Sequence, residues 1–208
     1  MKRILLLVIL ISISSCSLAP IHEEKTASTS GKDKMMLDAG YSPSLYGKGS
    51  YGLTENLDVS AAIEFQMFLL FSASLKYAVK NNKDGFSWAF MSGVFYGHDS
   101  VRTKGAYAGS ILSHNFSGFE PYLALRYNYV KWNGLRGLDE DEEDNLIFDF
   151  AQNVSNLSFG YIQSTLGFNY WFKEDVGVNL SAKYLIFDES DLEDDAVLVP
   201  SIGMIFRI

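Results

Sequence analysis

From about residue 43 to the last residue, hydrophobic and polar positions alternate with a period of two, the signature of β-strands with one apolar face. In 57–66, Leu57, Val59, Ala61, Ile63 and Phe65 oppose Asp58, Ser60, Ala62, Glu64 and Gln66. In 67–80, Leu69, Phe71, Ala73, Leu75, Tyr77 and Val79 oppose Ser72, Ser74, Lys76 and Lys80. The same dyads run through 121–132, 176–187 and the second half of 157–172, and less cleanly through 86–97 and 104–116. The final stretch sets Ile202, Met204, Phe206 and Ile208 against Ser201, Gly203, Ile205 and Arg207. The alternation gives nine strands back to 43–53. A tenth is expected over Met35 to Gly40, turning at Tyr41-Ser42-Pro43. Eight strands result if 43–53 and 57–66 are misread.

The composition fits a membrane barrel. Of 208 residues 48% are hydrophobic, yet the mean hydropathy is only +0.04, so apolar and polar residues must mix at short range, as lipid-facing and lumen-facing positions of a barrel do. The polar faces are rich in Gly, Ala, Ser and Asn, which suit a narrow lumen. Trp88, Tyr96, Trp132, Tyr170 and Trp171 fall near strand ends, where interfacial aromatic girdles form. A soluble sandwich or lipocalin-like lipoprotein is the alternative; it would meet water with a charged outer face. The predicted fold is therefore all-β: an antiparallel up-and-down transmembrane β-barrel of about 10 strands over 34–208.

The one long apolar run, Ile4 to Ile13, is ten residues behind Lys2 and Arg3. That is too short for a spanning helix, which needs about 20, and it reads as a secretory signal over 1–15. Ile13-Ser14-Ser15-Cys16 resembles a bacterial lipobox, which implies lipidation of Cys16, the sole cysteine. The alternative is a free thiol in an ordinary signal peptide, but cleavage after Ser17-Leu18-Ala19 would fall before Pro20. Ser17 is not the Asp that retains enteric-type lipoproteins at the inner membrane, so that resemblance implies the outer membrane. Residues 16–33 lack a strand pattern and read as a flexible tether.

Turn lengths set the topology. Four links are short: 54–56, 81–85, 117–120 and 173–175. Two are long and acidic: roughly 133–156 and 188–196. Barrels keep short turns periplasmic and long loops outside, and a periplasmic C-terminus places every long link outside. Gly40-Tyr41-Ser42-Pro43-Ser44-Leu45-Tyr46, Tyr51 to Val59, and Phe119-Glu120-Pro121-Tyr122-Leu123-Ala124-Leu125-Arg126-Tyr127 resemble hairpins of small bacterial outer-membrane β-barrel proteins of the OmpA/OmpW-like kind. The C-terminal stripe resembles the signal read by the barrel-assembly machinery, although it ends in Ile208 where Phe or Trp is usual. The resemblance implies outer-membrane lipid and that machinery as partners and brings no active site with it.

Three sets of residues could carry chemistry. Lys48, Asp58, Glu64, Lys76, Lys80, Arg126, Lys183 and Arg207 are predicted to face the lumen. They would either line a narrow anion-preferring pore or pair within a structural plug, with Glu64 near Arg126, Lys76 or Lys183, because an unpaired buried charge costs several kcal/mol. The acidic runs 139–149 and 188–195 hold 13 of the 25 acidic residues. They read as solvated outer surface, with weak calcium or magnesium binding as the sharper alternative; neither fits an EF-hand loop. His98-Asp99-Ser100, and His114 with Ser113 or Ser117, offer the residue types of a lipid hydrolase but not the spacing of a triad. No cofactor motif, zinc spacing or nucleic-acid patch is present. The sequence thus points to a lipid-anchored, non-enzymatic barrel with a structural or surface-interaction role, with a porin-like pore and a lipid-modifying hydrolase as alternatives.

Overall fold

A computed structural model describes residues 19–22, 24–66, 69–98, 101–135, 158–187 and 197–208. Ten antiparallel strands follow in chain order: β1 (Met35–Tyr41), β2 (Leu45–Gly52), β3 (Leu57–Phe65), β4 (Leu69–Lys80), β5 (Phe86–His98), β6 (Val101–His114), β7 (Phe119–Leu135), β8 (Ser158–Trp171), β9 (Val176–Phe187) and β10 (Val197–Arg207). Each pairs with its neighbours in sequence, and β1 closes the ring against β10 from Met36↔Arg207 to Tyr41↔Ile202. Closure removes both sheet edges, so every strand finds its hydrogen-bond partners within the ring. The strand count is ten, and the first strand is the one expected before Tyr41-Ser42-Pro43.

Links 53–56, 81–85, 115–118 and 172–175 gather at one end with Met35 and Arg207, here the turn end. β1, β3, β5, β7 and β9 end at the other, the loop end, where the chain segments 136–157 and 188–196 separate β7 from β8 and β9 from β10. β6 begins at Val101, several residues earlier than the alternation suggests, so the β5–β6 hairpin is very short.

The period of two is expressed as burial. Along β3 the even-numbered residues Asp58, Ser60, Ala62 and Glu64 are buried while Val59, Ala61 and Phe65 are exposed. What they are buried against is not the opposite wall. Ala19 to His22 and Glu24 to Thr29, read from the sequence as a flexible tether, are buried inside the barrel. This part of the chain runs through the lumen and reverses into β1 at Gly31–Lys34.

The reversal depends on two glycines. Gly31 adopts a left-handed φ of 91° and Asp33 one of 59°, and Lys34 N–H donates to Gly31 O at 3.1 Å. The turn rests on β2: Asp33 N–H donates to Gly52 O, and Gly52 N–H to Lys34 O, each at 2.9 Å. A Cβ on Gly52 would stand 1.9 Å from Gly31 O, so only glycine admits this contact.

Candidate functional site in the barrel lumen

The lumen segment forms no sheet with the barrel, so its peptide groups must be satisfied by wall side chains. On the donor side, Ile21 N–H reaches the Glu64 carboxylate at 3.1 Å, Ala27 N–H reaches Ser113 Oγ at 3.1 Å, and Ser30 N–H reaches Asp58 Oδ2 at 3.0 Å. On the acceptor side, Gln66 Nε2 donates to Ala19 O (3.1 Å), Asn169 Nδ2 to Lys25 O (2.7 Å) and Lys76 Nζ to Ser28 O (2.9 Å). Arg126 uses its fork on the outermost turn of the segment: Nη1 donates to His22 O at 2.8 Å, and Nη2 donates to Pro20 O and, at 2.7 Å, to Gln163 Oε1.

Charges pair across the same contact. Glu24 is clamped between Lys48 (2.6 Å) and Lys76 (3.3 Å). Lys76 also meets Asp58 at 3.3 Å. Lys25 pairs with Asp38 at 2.7 Å, and its ammonium stands 5.0 Å above the Tyr46 ring. His22 Nδ1 lies 2.8 Å from Glu64 Oε2, and Ser44 Oγ donates to the other oxygen of that carboxylate at 2.6 Å. Thr26 donates to Glu120, which also accepts from Trp171 Nε1 at 3.2 Å. At low effective dielectric, pairing is what makes so many buried charges tolerable.

Two apolar clusters flank this polar core. At the loop end Ala19 and Ile21 pack with Leu70, Phe95, Val130, Leu185 and Val199. Nearer the turn end Ala27 packs with Ala78, Ala89, Ile111 and Tyr122. A cavity between His22, Glu24, Lys48, Ser72, Met91 and Arg126 holds about 10 Å³, room for about one water.

The outer wall is the reverse of the inner. Val59, Leu75, Val94, Leu125, Leu166, Leu180 and Ile202 form an exposed aliphatic belt. Tyr51, Tyr77, Phe86, Phe119, Tyr170 and Phe172 rim it at the turn end, and Tyr41, Phe65, Tyr96 and Tyr129 at the loop end. A closed ring with a polar interior and an apolar belt between aromatic rims is built for lipid. The chain is an outer-membrane β-barrel. Among its described residues no helix is long and apolar enough to cross a membrane. By the loop-length rule its turn end is periplasmic and its loop end external.

No family model matches the chain, and no curated protein does. Among solved structures it is similar to the N-terminal β-barrel domain of Pseudomonas aeruginosa OprF, at 14% identity over 86% of this chain and 99% of that one, with a TM-score of 0.43. It is similar to Ail, the attachment invasion locus protein of Yersinia pestis, at 13% identity, 85% and 99% coverage and a TM-score of 0.38. A third is the outer membrane enzyme PagL, at 9% identity, 84% and 98% coverage and a TM-score of 0.35.

Of the eight charges predicted for the lumen, the barrel wall brings six together: Lys48, Asp58, Glu64, Lys76, Arg126 and Lys183 are each at most 6% exposed. Lys183 donates to Ser42 Oγ. Lys80 is not among them: the register shifts between Ala78 and Lys80, Ala78 takes the inward position, and Lys80 is exposed with its ammonium 5.3 Å from the Phe86 ring. Arg207 sits half-buried at the periplasmic mouth, 3.6 Å over the Trp171 ring. Trp171 itself turns inward and is 8% exposed, so it belongs to the lumen and not to the girdle. The expected partner of Glu64 was a wall base, whereas its carboxylate contacts His22, Ser44 and Gln66.

Asp38 and Glu120 complete the inner wall, and His22, Glu24 and Lys25 arrive from the lumen segment. Their signal in the sequence is an imbalance. Six bases against two acids on the expected inner faces leaves charge without partners, and the tether and the turn before β7 hold the missing acids. Ser113 and His114 lie on opposite faces: Ser113 is buried against Ala27, and His114 lies against Phe116 in a tilted pair with ring centroids 4.1 Å apart. Cys16, Asp99, Ser100, the side chain of His98 and the acidic runs 139–149 and 188–195 lie outside the described residues. Among the described residues no group of three His, Cys, Asp or Glu is placed to hold a metal.

Proposed function

We propose that the protein is a self-plugged, non-conducting outer-membrane barrel with a structural or surface-interaction role, non-catalytic and anchored by a lipid on Cys16. The observation that carries this reading is the lumen segment: residues 19–22 and 24–29 occupy the space a solute would need, and the wall charges are bonded to it. The anion-pore reading rested on a basic lumen. The inner wall instead carries Lys48, Lys76, Arg126 and Lys183 against Asp38, Asp58, Glu64 and Glu120, which gives no net preference for anions. The lipobox Ile13-Ser14-Ser15-Cys16 supports the anchor.

The test is ion conductance of the full protein in a planar bilayer, after heat-modifiable gel mobility has confirmed insertion. Silence from inserted barrels is expected. Steady unitary currents that respond to Lys183→Glu would overturn the plugged reading. Mass spectrometry of the mature chain checks the anchor separately: an acyl mass that Cys16→Ser abolishes supports it, and an unmodified Cys16 removes it.

A further inference from the structure

The contacts of the lumen segment progress in one direction. Ser30 bonds Asp58, near the periplasmic start of β3; His22 bonds Glu64, near its external end; Ala19 bonds Gln66, the first residue beyond it. Along β4 the order repeats: Ser28 meets Lys76, His22 meets Ser72, and Ala19 and Ile21 pack with Leu70, the second residue of the strand. As residue number falls, depth moves steadily from the periplasmic mouth to the external one. Residues 30 to 19, if extended, reach roughly 36 Å, enough to cross an apolar band of about 25 Å.

We infer that the chain threads its own barrel from the periplasmic mouth to the external mouth, so that the part of the mature chain N-terminal to Ala19 is delivered to the outer face of the membrane. A tether that merely held the barrel from the periplasmic side would have no reason to enter the lumen. Here residues 19–22 and 24–30 are held by wall side chains along the full depth, and the last contact lies beyond the outer end of β3. The external seal is apolar, formed by Ala19 and Ile21 against the mouth, whereas the periplasmic entry is the reversal at Gly31. The polarity of the path is therefore built into both ends. The inference does not depend on lipidation: it fixes the face on which the amino end emerges, whatever that end carries.

The experiment places one epitope tag in the full chain, expressed in a Gram-negative host, at three alternative sites. The first lies between Ser17 and Leu18, the second within 141–144 as the external reference, and the third in the turn 54–56 as the periplasmic reference. Antibody labelling of intact cells is expected for the first two, with the third labelled only after permeabilisation. An N-terminal tag reached only after permeabilisation, while the 141–144 tag is labelled in intact cells, overturns the inference. Should the tag block folding, Ala27→Cys in the otherwise intact chain gives an independent reading against the unsubstituted protein as background. Its thiol should resist a maleimide-polyethylene glycol in the folded barrel and shift fully on denaturation. Rapid modification in the folded state would show that the segment is not in the lumen. A barrel that conducts yet displays its N-terminal tag outside would sink the plugged function and leave the threading intact.

Discussion

Lys48 Nζ lies 2.6 Å from Glu24 Oε1, joining the middle of β2 to a residue that precedes the first strand. The second oxygen of the same carboxylate faces Lys76 on β4. One acidic side chain of the lumen segment thus ties two separate strands of the wall. Glu24→Gln keeps the shape and removes the charge, leaving Lys48 buried without this ion pair. Breaking a buried pair costs about 3–5 kcal/mol, so the midpoint of urea unfolding should fall by that equivalent. An unchanged midpoint would mean that the segment contributes nothing to the folded barrel.

Arg126→Lys should loosen the external half of the segment while leaving the periplasmic half in place. A lysine ammonium has no fork and cannot serve Pro20 O, His22 O and Gln163 together. The measurement is thiol modification of Ile21→Cys and Ala27→Cys, each with and without Arg126→Lys. Accessibility should rise several-fold at position 21 and stay unchanged at 27. Equal rises at both positions would indicate release of the whole segment.

Gly52→Ala should be strongly destabilising, because its Cβ would collide with the Gly31 carbonyl at 1.9 Å, a backbone atom that cannot swing away. Gly49→Ala, three residues earlier on the same strand, would meet only Leu37 Cδ2 at an ordinary 3.6 Å. A thermal scan should show a lowered unfolding temperature for the first and little change for the second. Similar values for both would place the reversal elsewhere.

Lys76→Met and Lys80→Met make a matched pair on β4. Lys76 is 0% exposed and binds Ser28 O, Thr26 O, Asp58 and Glu24. Lys80 is exposed at the strand end. The first substitution should cost about 3–5 kcal/mol and the second less than about 0.5 kcal/mol, both read from urea unfolding. Equal losses would contradict the inward and outward assignment of the two lysines.

The contrast between these lysines also shows where the sequence could be read and where it could not. Alternation is enforced by lipid on one side and lumen on the other, so strands β3, β7 and β9, β4 as far as Tyr77, and the inward positions of Lys48, Asp58, Glu64, Lys76, Arg126 and Lys183 were legible residue by residue. A register shift at Ala78/Lys80 leaves no mark in composition, and counting by twos carried Lys80 to the wrong face. Glu120 was read as the end of the short link 117–120, yet it lies within β7 and accepts from Trp171. The lumen segment was illegible for a deeper reason. Its peptide groups are met by side chains such as Arg126, Asn169 and Ser113 instead of by a neighbouring strand, so no periodicity is required of it. A short polar stretch satisfied in this way has the composition of a linker.

Gly31 to Lys34 join the lumen segment directly to β1, and β1 is one of the two strands that close the ring. The enclosed stretch and the closing strand are thus consecutive in the chain, which constrains the order of assembly. A ring already sealed between β1 and β10 could be filled only by pushing the free amino end through a passage packed with buried side chains. Laying the segment against β2, β3 and β4 before the last seam zips requires no such passage. The finished molecule is a loop drawn around its own thread. A group too wide for the bore, fixed to the thread beyond the external mouth, would act as a stopper, and the two parts would then be held by interlocking and not only by the strength of their bonds.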